Sequence, residues 1–258
     1  MNKKLIYKNL KRLKRKFFPK LNFKPILNLR FYFLFKKHRK EWLNQGGTID
    51  KNDRILGDFN TSSGLASGHY FHQDLLVAKM IYEDKPYKHL DVGSRVDGFV
   101  AHVASYREIE VLDIRPQQKS KHENIKFIKA DLMNPQELPL TDSLSCLHVI
   151  EHFGLGRYND PININGHIEG LNNLIKILQK NGRLYISFPI GIRDEVHFNN
   201  QRIIHPKSIL SFSSIKENME LKRFDYVDDK GDLHLDINLH NFQEKLIYGC
   251  GIYTFIKK

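Results

Sequence analysis

The stretch from Lys88 to Gly98, KHLDVGSRVDG, decides the fold. A short apolar run ends at Asp91, the chain turns at Gly93, and the helical pattern VDGFVAHVASY follows. Strand, glycine turn and helix in that order open a βαβ unit. Aligning G-x-G-x-x-G on Gly93 puts Arg95 at the second glycine position and Gly98 at the third. A diphosphate needs close backbone approach at the middle glycine, and Arg95 hinders it. The turn therefore suits a ligand without phosphates better than a dinucleotide.

Outward from this turn the same alternation continues. EIEVLDIRP and ENIKFIKADLMN read as strands, as does SLSCLHVIEHFG. HIEGLNNLIKILQKNG reads as a helix stopped by Gly182, and RLYISFPIG as a further strand. Upstream, GHYFHQDLLVAKMIYED is a helix with Leu75, Leu76, Ala78, Met80 and Ile81 on an apolar face, ending before Pro86. Strands alternating with helices imply a parallel sheet covered on both faces. MELKRFDYVDD, DLHLDINL and KLIYGCGIYTFIKK then read as strands joined by short turns, an antiparallel C-terminal edge.

In such a sheet ligands bind beyond the carboxyl ends of the strands. Three of those ends carry Asp91, Asp113 and Asp131, and a fourth carries His148, Glu151 and His152. Asp113 lies 22 residues after Asp91, close to the roughly 20 that separate a cofactor turn from the acid accepting ribose hydroxyls. A carboxylate there can accept from both vicinal hydroxyls at once.

Net charge is concentrated at one end. Residues 1–42 carry 15 Lys or Arg and one acid, Glu41, whereas the remainder carries 26 basic against 28 acidic residues, a net of −2. The arm interleaves cations with Phe, Leu and Tyr; Pro19 and Pro25 interrupt any long helix, and its longest apolar run, Phe31 to Phe35, is far short of a bilayer span. Such an arm suits an anionic membrane face, a glycan-assembly partner, or plain packing on the domain with its lysines solvated, and suits nucleic acid less, because the near-neutral body holds no nucleic-acid module. Two cysteines, Cys146 and Cys250, make no disulfide framework, and the N-terminal residues show no apolar core with a small-residue cleavage site of a secretory leader. The expectation is a cytoplasmic protein that is peripheral at the inner membrane face, with residues 1–55 as a basic arm or helical extension and 56–258 as the main domain.

HLDVGSRVDGF, VLDIRP, FIKADLMN, HVIEHFGLGRYNDPININGH, LQKNGRLYISFPIG and VHFNNQRI together resemble a family of class I S-adenosylmethionine-dependent methyltransferase-like proteins of unknown function, common near bacterial capsule and O-antigen genes. GLGRY after VIEH is the most specific element. The resemblance implies a Rossmann-like three-layer α/β sandwich with a mostly parallel seven-stranded sheet. It also implies S-adenosyl-L-methionine at the strand ends: Asp91, Gly93, Ser94 and Gly98 at the turn, Asp113 on the ribose, and Asp131 facing the adenine amine. The Leu132 backbone would meet the adenine ring, with His148 and Val149 beside the methionyl part. The cofactor's cationic groups fit the acidic rim and the lack of a phosphate turn. Where the family carries FNAHR, this chain reads Phe198-Asn199-Asn200-Gln201-Arg202, so no catalytic histidine carries over there.

Methyl transfer to a hydroxyl needs a base, and His152 leads the candidates ahead of Glu151 and His197. Arg157, Tyr158, Asn159, Asn199 and Arg202 offer donors for a sugar hydroxyl, a phosphate or a sugar nucleotide. No metal is expected: His148, Glu151 and His152 share one strand terminus, and no third ligand is evident elsewhere. The expected activity is O-methylation of a sugar or a sugar-phosphate or nucleotide precursor in capsule or lipopolysaccharide biosynthesis. The competing readings are an RNA methyltransferase that uses the arm, and a non-enzymatic glycan-assembly scaffold.

Overall fold

The computed structural model describes residues 24–116, 120–134 and 137–258. Nine of the 15 cations of the basic arm precede residue 24 and so lie outside the described residues. The chain divides into two units, Met1–Leu65 and Ala66–Lys258, so the division falls ten residues after the expected boundary at 55. Among its described residues the first holds the long helix α1 (Lys24–Asn44). Pro25 sits in its opening turn, where the missing N–H matters least. Phe31 stacks on Phe59 with ring centroids 5.6 Å apart, and the Trp42 indole donates to the Thr48 carbonyl at 2.9 Å. Among the described residues no helix is long and apolar enough to cross a membrane.

The second unit holds one large sheet. Strands β1 (His89–Val92), β2 (Ile109–Asp113), β3 (Ile125–Lys129), β4 (Thr141–Leu147) and β5 (Leu178–Ile190) run parallel in the order β3-β2-β1-β4-β5. β10 (Gly249–Lys257) joins β5 antiparallel, then β8 (Met219–Val227), then the two-residue edge strand β9 (Leu233–His234). The sheet thus has eight strands instead of the expected seven, and the antiparallel strand β10 lies inside it, between β5 and β8. A separate hairpin pairs β6 (Glu195–His197) with β7 (Gln201–Ile203).

Helix α2 (His69–Asp84) and the helical turn Val96–Val100 running into α3 (Ala101–Ala104) cover one face, where Val77, Ile81, Phe99, Val111 and Ile252 are buried together. Helix α4 (Gly166–Ile177) and the short α5 (Ser213–Asn218) lie over the other face, with Leu90, Leu144, Leu174, Ile186 and Tyr253. The apolar stripe expected on α2 is only partly observed: Leu75 is exposed, whereas Gln73 and Asp74 are buried. Gln73 donates to Asp74 and accepts from Ser187 on β5, while Asp74 lies against Gly98, contacts that hydrophobicity alone does not signal.

Three boundaries differ from the expectation. β4 stops at Leu147 because His148 adopts φ +54°, which no strand can continue. α4 stops at Ile177, ahead of Gly182, because Leu178 already pairs with Thr141; the next paired residue is Arg183, and the four residues between bulge outward with Asn181 at φ +63°. DLHLDINL keeps only Leu233 and His234 as strand, with Asp236 at φ +52° ending it.

Gly170 in α4 faces Phe153, and a Cβ there would come within 2.4 Å of the ring. Alanine normally stabilises a helix over glycine by about 1 kcal/mol, but overpacking costs about 1–3 kcal/mol. Gly170→Ala is therefore expected to lower stability in urea unfolding, the reverse of the propensity effect.

Candidate functional site

The site begins with a buried chain of polar groups between β1 and β4. Asp91 is fully buried; its Oδ1 accepts from Ser145 Oγ at 2.5 Å and Ser94 Oγ at 2.7 Å, and its Oδ2 from the Ser94 N–H at 3.0 Å. His89 continues the chain, with Nδ1 2.8 Å from Ser143 Oγ and Nε2 3.1 Å from Ser145 Oγ. Ser145 already donates to Asp91, so His89 must donate through Nε2 and accept from Ser143 through Nδ1. Burial keeps this imidazole neutral by lowering its pKa to about 3.

This chain fixes the turn. Gly93 sits at φ +65°, and a Cβ there would come within 2.9 Å of the Val149 side chain. Arg95, the residue at the middle glycine position, pairs outward with Asp97 at 3.2 and 3.0 Å and lies over the Tyr70 ring, so it borders the site without plugging it. Gly98 lets Asp74 approach, since a Cβ would meet its carboxylate at 2.8 Å.

Two hollows open beyond the turn. A small cavity of about 60 Å³ is lined by Gly93, Asp113, Asp131, Leu132, Val149 and Phe153, among others, and an open cleft of about 870 Å³ adjoins it. They share Gly93, Arg115, His148, His152 and Tyr158 as walls. Asp113 is held by its neighbour: its carboxylate accepts from the Arg115 backbone N–H at 2.8 Å and from the guanidinium at 2.5–3.2 Å. Arg115 in turn lies over Tyr158, 4.7 Å from the ring centre. Asp131 accepts from the Met133 N–H at 3.0 Å and from the Asn134 amide.

The loop after β4 brings His148, Glu151 and His152 together. His152 Nδ1 lies 2.6 Å from the Asn200 carbonyl, so that nitrogen holds the proton and Nε2 keeps its lone pair. Burial lowers the pKa of His152 against the opposing pull of Glu151 and the Asn200 carbonyl, with Arg157 and His148 adding to the lowering, so the ring is neutral near pH 7. Glu151 is fully buried with Oε1 2.9 Å from His148 Nδ1, which leaves His152 as the group better placed to take a proton. His197 stands at the cleft rim, paired with Glu195 at 3.0 Å.

GLGRYND has a conformational explanation. Asp160 accepts from the N–H groups of Gly154, Gly156 and Tyr158 at 3.0, 3.2 and 3.0 Å. Gly154 has φ +76° and presses against the Asn163 carbonyl, where no side chain fits. The folded loop presents Arg157 and Tyr158 to the cleft, and Arg157 donates to the Asn200 side-chain oxygen at 2.9 Å.

Three expected substrate contacts are not brought there. Arg202 is buried and donates to the Glu151 and Phe153 carbonyls at 3.3 and 2.7 Å, clamping the loop from behind. Asn159 and Asn199 hold positive φ in exposed turns and line neither hollow. Asn200, Gln201, Tyr70, Arg115 and Tyr248 line the cleft instead. Of these, Arg115 lies in the VLDIRP motif, and Asn200 and Gln201 lie in VHFNNQRI, the last two each one residue from an expected contact.

The family described as "Caenorhabditis protein of unknown function, DUF268" matches residues 101–229, half of the chain. The chain belongs to this family. No curated protein matches it by sequence. Among solved structures it is similar to the N-methyltransferase NodS from Bradyrhizobium japonicum WM9 in complex with S-adenosyl-L-homocysteine, at 12% identity and TM-score 0.51, covering 81% of this chain and 93% of that one. It is likewise similar to coclaurine N-methyltransferase bound to N-methylheliamine and S-adenosylhomocysteine, at 12% identity and TM-score 0.51, covering 99% and 93%. The [4+2]-cyclase SpnF matches at 13% identity and TM-score 0.51, covering 72% and 80%. The family member described here thus has the Rossmann-like fold of these methyltransferases. The cyclase among them shows that this fold does not by itself fix a reaction.

Burial raises the pKa of Asp91 to about 6, against the hydrogen bonds from Ser145 and Ser94 that favour its charged form. The folded state therefore holds this proton more tightly than the unfolded chain, whose Asp titrates near about 3.9. Its contribution to stability is greatest in acid and is lost as pH rises from about 4 to about 6, by roughly 3 kcal/mol. The difference in urea stability between wild type and Asp91→Asn is expected to change by that order across this window and to be flat above it.

Proposed function

We propose that this chain is an S-adenosylmethionine-dependent methyltransferase, and that its acceptor is a hydroxyl of a sugar or of a sugar-phosphate or nucleotide precursor, of the kind used in capsule or lipopolysaccharide assembly. The observation that carries the reading is the hollow at the carboxyl ends of β1 to β4, with Asp113 and Asp131 on its wall and the side-chain-free turn at Gly93 beside them. Fold relatives that carry S-adenosylhomocysteine support it.

The residues present fit such a cofactor on one condition. Asp113 is held by Arg115, so ribose hydroxyls reach the carboxylate only when the guanidinium gives way. Arg115 then keeps its place over Tyr158, beside Arg157, where two cations face the cleft and favour an acceptor carrying phosphate. The bound cofactor supplies an electrophilic methyl group on a sulfonium, which leaves as a neutral thioether. His152 Nε2 receives the acceptor's proton as its oxygen becomes methylated, and the Asn200 carbonyl holds the ring in the tautomer that can do so.

Calorimetry with S-adenosylhomocysteine tests the cofactor: binding is expected, weakened about tenfold or more in Asp113→Ala through loss of charge-assisted bonds. No binding by the folded wild type would refute the reading. With an acceptor found by screening sugar phosphates and sugar nucleotides for the mass of one added methylene, His152→Gln is expected to lower kcat by about 10²- to 10⁴-fold and to leave S-adenosylhomocysteine affinity nearly unchanged.

The arm at residues 1–42 has a role under the same reading, holding the enzyme at an anionic membrane face where such precursors are assembled. In flotation, the full chain should rise with anionic vesicles and remain behind with neutral ones. Each cation near the surface contributes about 1 kcal/mol, so moderate salt should release it.

A further inference from the structure

His69, His148 and Cys250 come from three distant places in the sequence: the first residue of α2, the residue after β4, and the second residue of β10. The fold brings one donor atom of each within 4.8 Å of the other two; among the described residues this is the one such group of three or more. Two imidazoles and a thiol converging are the donor set of zinc and its borderline-soft neighbours, and three protein ligands are the number typical of zinc sites that keep a position for water or substrate.

The surroundings of His148 supply a second observation. Its Nδ1 is engaged by the buried Glu151 carboxylate at 2.9 Å, which fixes that nitrogen as the donor and leaves the lone pair on Nε2. Nε2 is fully buried and has no hydrogen-bond partner. An orphaned buried nitrogen is unfavourable because nothing replaces its lost hydration, and this one belongs to an imidazole whose other edge is already held by a carboxylate. Metal-bound histidines are oriented in this way. His148 adopts φ +54°, a conformation uncommon outside glycine, which places the ring beside His69.

His69 and His148 lie with ring planes 13° apart and centroids separated by 5.3 Å. Cys250 makes long contacts, 3.7 Å to the Gln73 side-chain oxygen and 3.8 Å to the Gly251 carbonyl, and its sulfur interacts electrostatically with the His148 ring. Metal–ligand lengths of about 2.0–2.3 Å draw tetrahedral donors to roughly 3.5 Å from one another. Closing from 4.8 Å requires about one ångström of movement and a turn of one imidazole about its Cβ–Cγ bond.

We infer that His69, His148 and Cys250 form a binding site for a divalent transition-metal ion of the zinc class, oriented by Glu151 and set in the wall of the cleft. His148 and Tyr248 both line that cleft, and Tyr248 also stacks on His69 at 5.1 Å. A fourth ligand, water or an acceptor oxygen, completes the coordination. The site goes beyond the methyltransferase reading and does not depend on it, because its donors are not those assigned to the cofactor or the base, His148 alone excepted.

Cobalt(II) is the probe, titrated into the tag-free, reduced full-length chain and followed by absorption. One equivalent should produce a thiolate-to-cobalt charge-transfer band with the strong visible bands of a tetrahedral ion, and zinc(II) should erase both. Cys250→Ser should lose the charge-transfer band, whereas Cys146→Ser, altered in the core beneath the sheet's other face, should keep it. His69→Gln and His148→Asn, the latter chosen because asparagine tolerates positive φ, should each weaken cobalt binding about tenfold or more, with circular dichroism confirming the fold. Absence of the band in the folded wild type, its persistence in Cys250→Ser, or unchanged affinity in both histidine variants would overturn the proposal. No cofactor enters the titration, so its outcome is separate from that of the S-adenosylhomocysteine calorimetry.

Discussion

The site depends on one buried carboxylate. Asp91 stands fully buried on the central strand β1, so its charge must be met by the three bonds from Ser94 and Ser145. Those bonds tie the first turn to β4, the strand whose end delivers His148 and the loop beyond. The polar chain from Ser143 through His89 to Ser145 leaves Ser145 a single direction in which to donate. Gly93 can then take its positive φ only against Val149, so turn and loop pack as a unit. A residue whose sequence position suggests a cofactor ligand is thus better described as the anchor that gives both halves of the site their positions.

The readable parts of the sequence were those governed by local periodicity and strand ends. Leu90 and Val92 alternate with His89 and Asp91 in β1, and acids at the ends of β1, β2 and β3 fall where an α/β sheet places ligands. Side-chain direction was less accessible. Arg202 and Asn200 sit two residues apart in one motif, yet β7 turns Arg202 into the protein, where its guanidinium satisfies carbonyls that would otherwise be buried without partners. Gln73 and Asp74 are buried on a helix face that composition marks as polar, because their partners, Ser187 and the turn at Gly98, come from elsewhere in the chain. Long-range convergence was invisible: nothing local links His69 to Cys250, and only β10 inserting between β5 and β8 brings them to His148.

The GLGRYND loop shows how a distinctive motif can be specific for shape and still serve chemistry. Asp160 gathers three backbone N–H groups, and the backbone it organises has no room for a side chain at Gly154. Arg157 and Tyr158 owe their place at the cleft to that arrangement, and Arg202 holds the same loop from its inner side. Under the methyltransferase reading, replacing Arg157 or Tyr158 would change the cleft's contacts, whereas replacing Asp160 would remove the bonds that give the loop its shape.

Asp113 and Arg115 add a constraint of a different kind. Their close pair satisfies a carboxylate at a strand end, but it also occupies the acceptor that a ribose requires. The pair is partly exposed on the arginine side and stacked on Tyr158, so the guanidinium can leave the carboxylate while keeping its aromatic contact. Exchanging an arginine bond for a ribose bond is then close to balanced, since both are made to the same carboxylate and the freed cation stays partly solvated. Under the methyltransferase reading, filling the ribose position would turn a resting ion pair into an available cation beside the acceptor cleft. An anionic acceptor would then meet Arg157 at any time but the second counter-charge, Arg115, only after the cofactor had bound, which favours ordered addition.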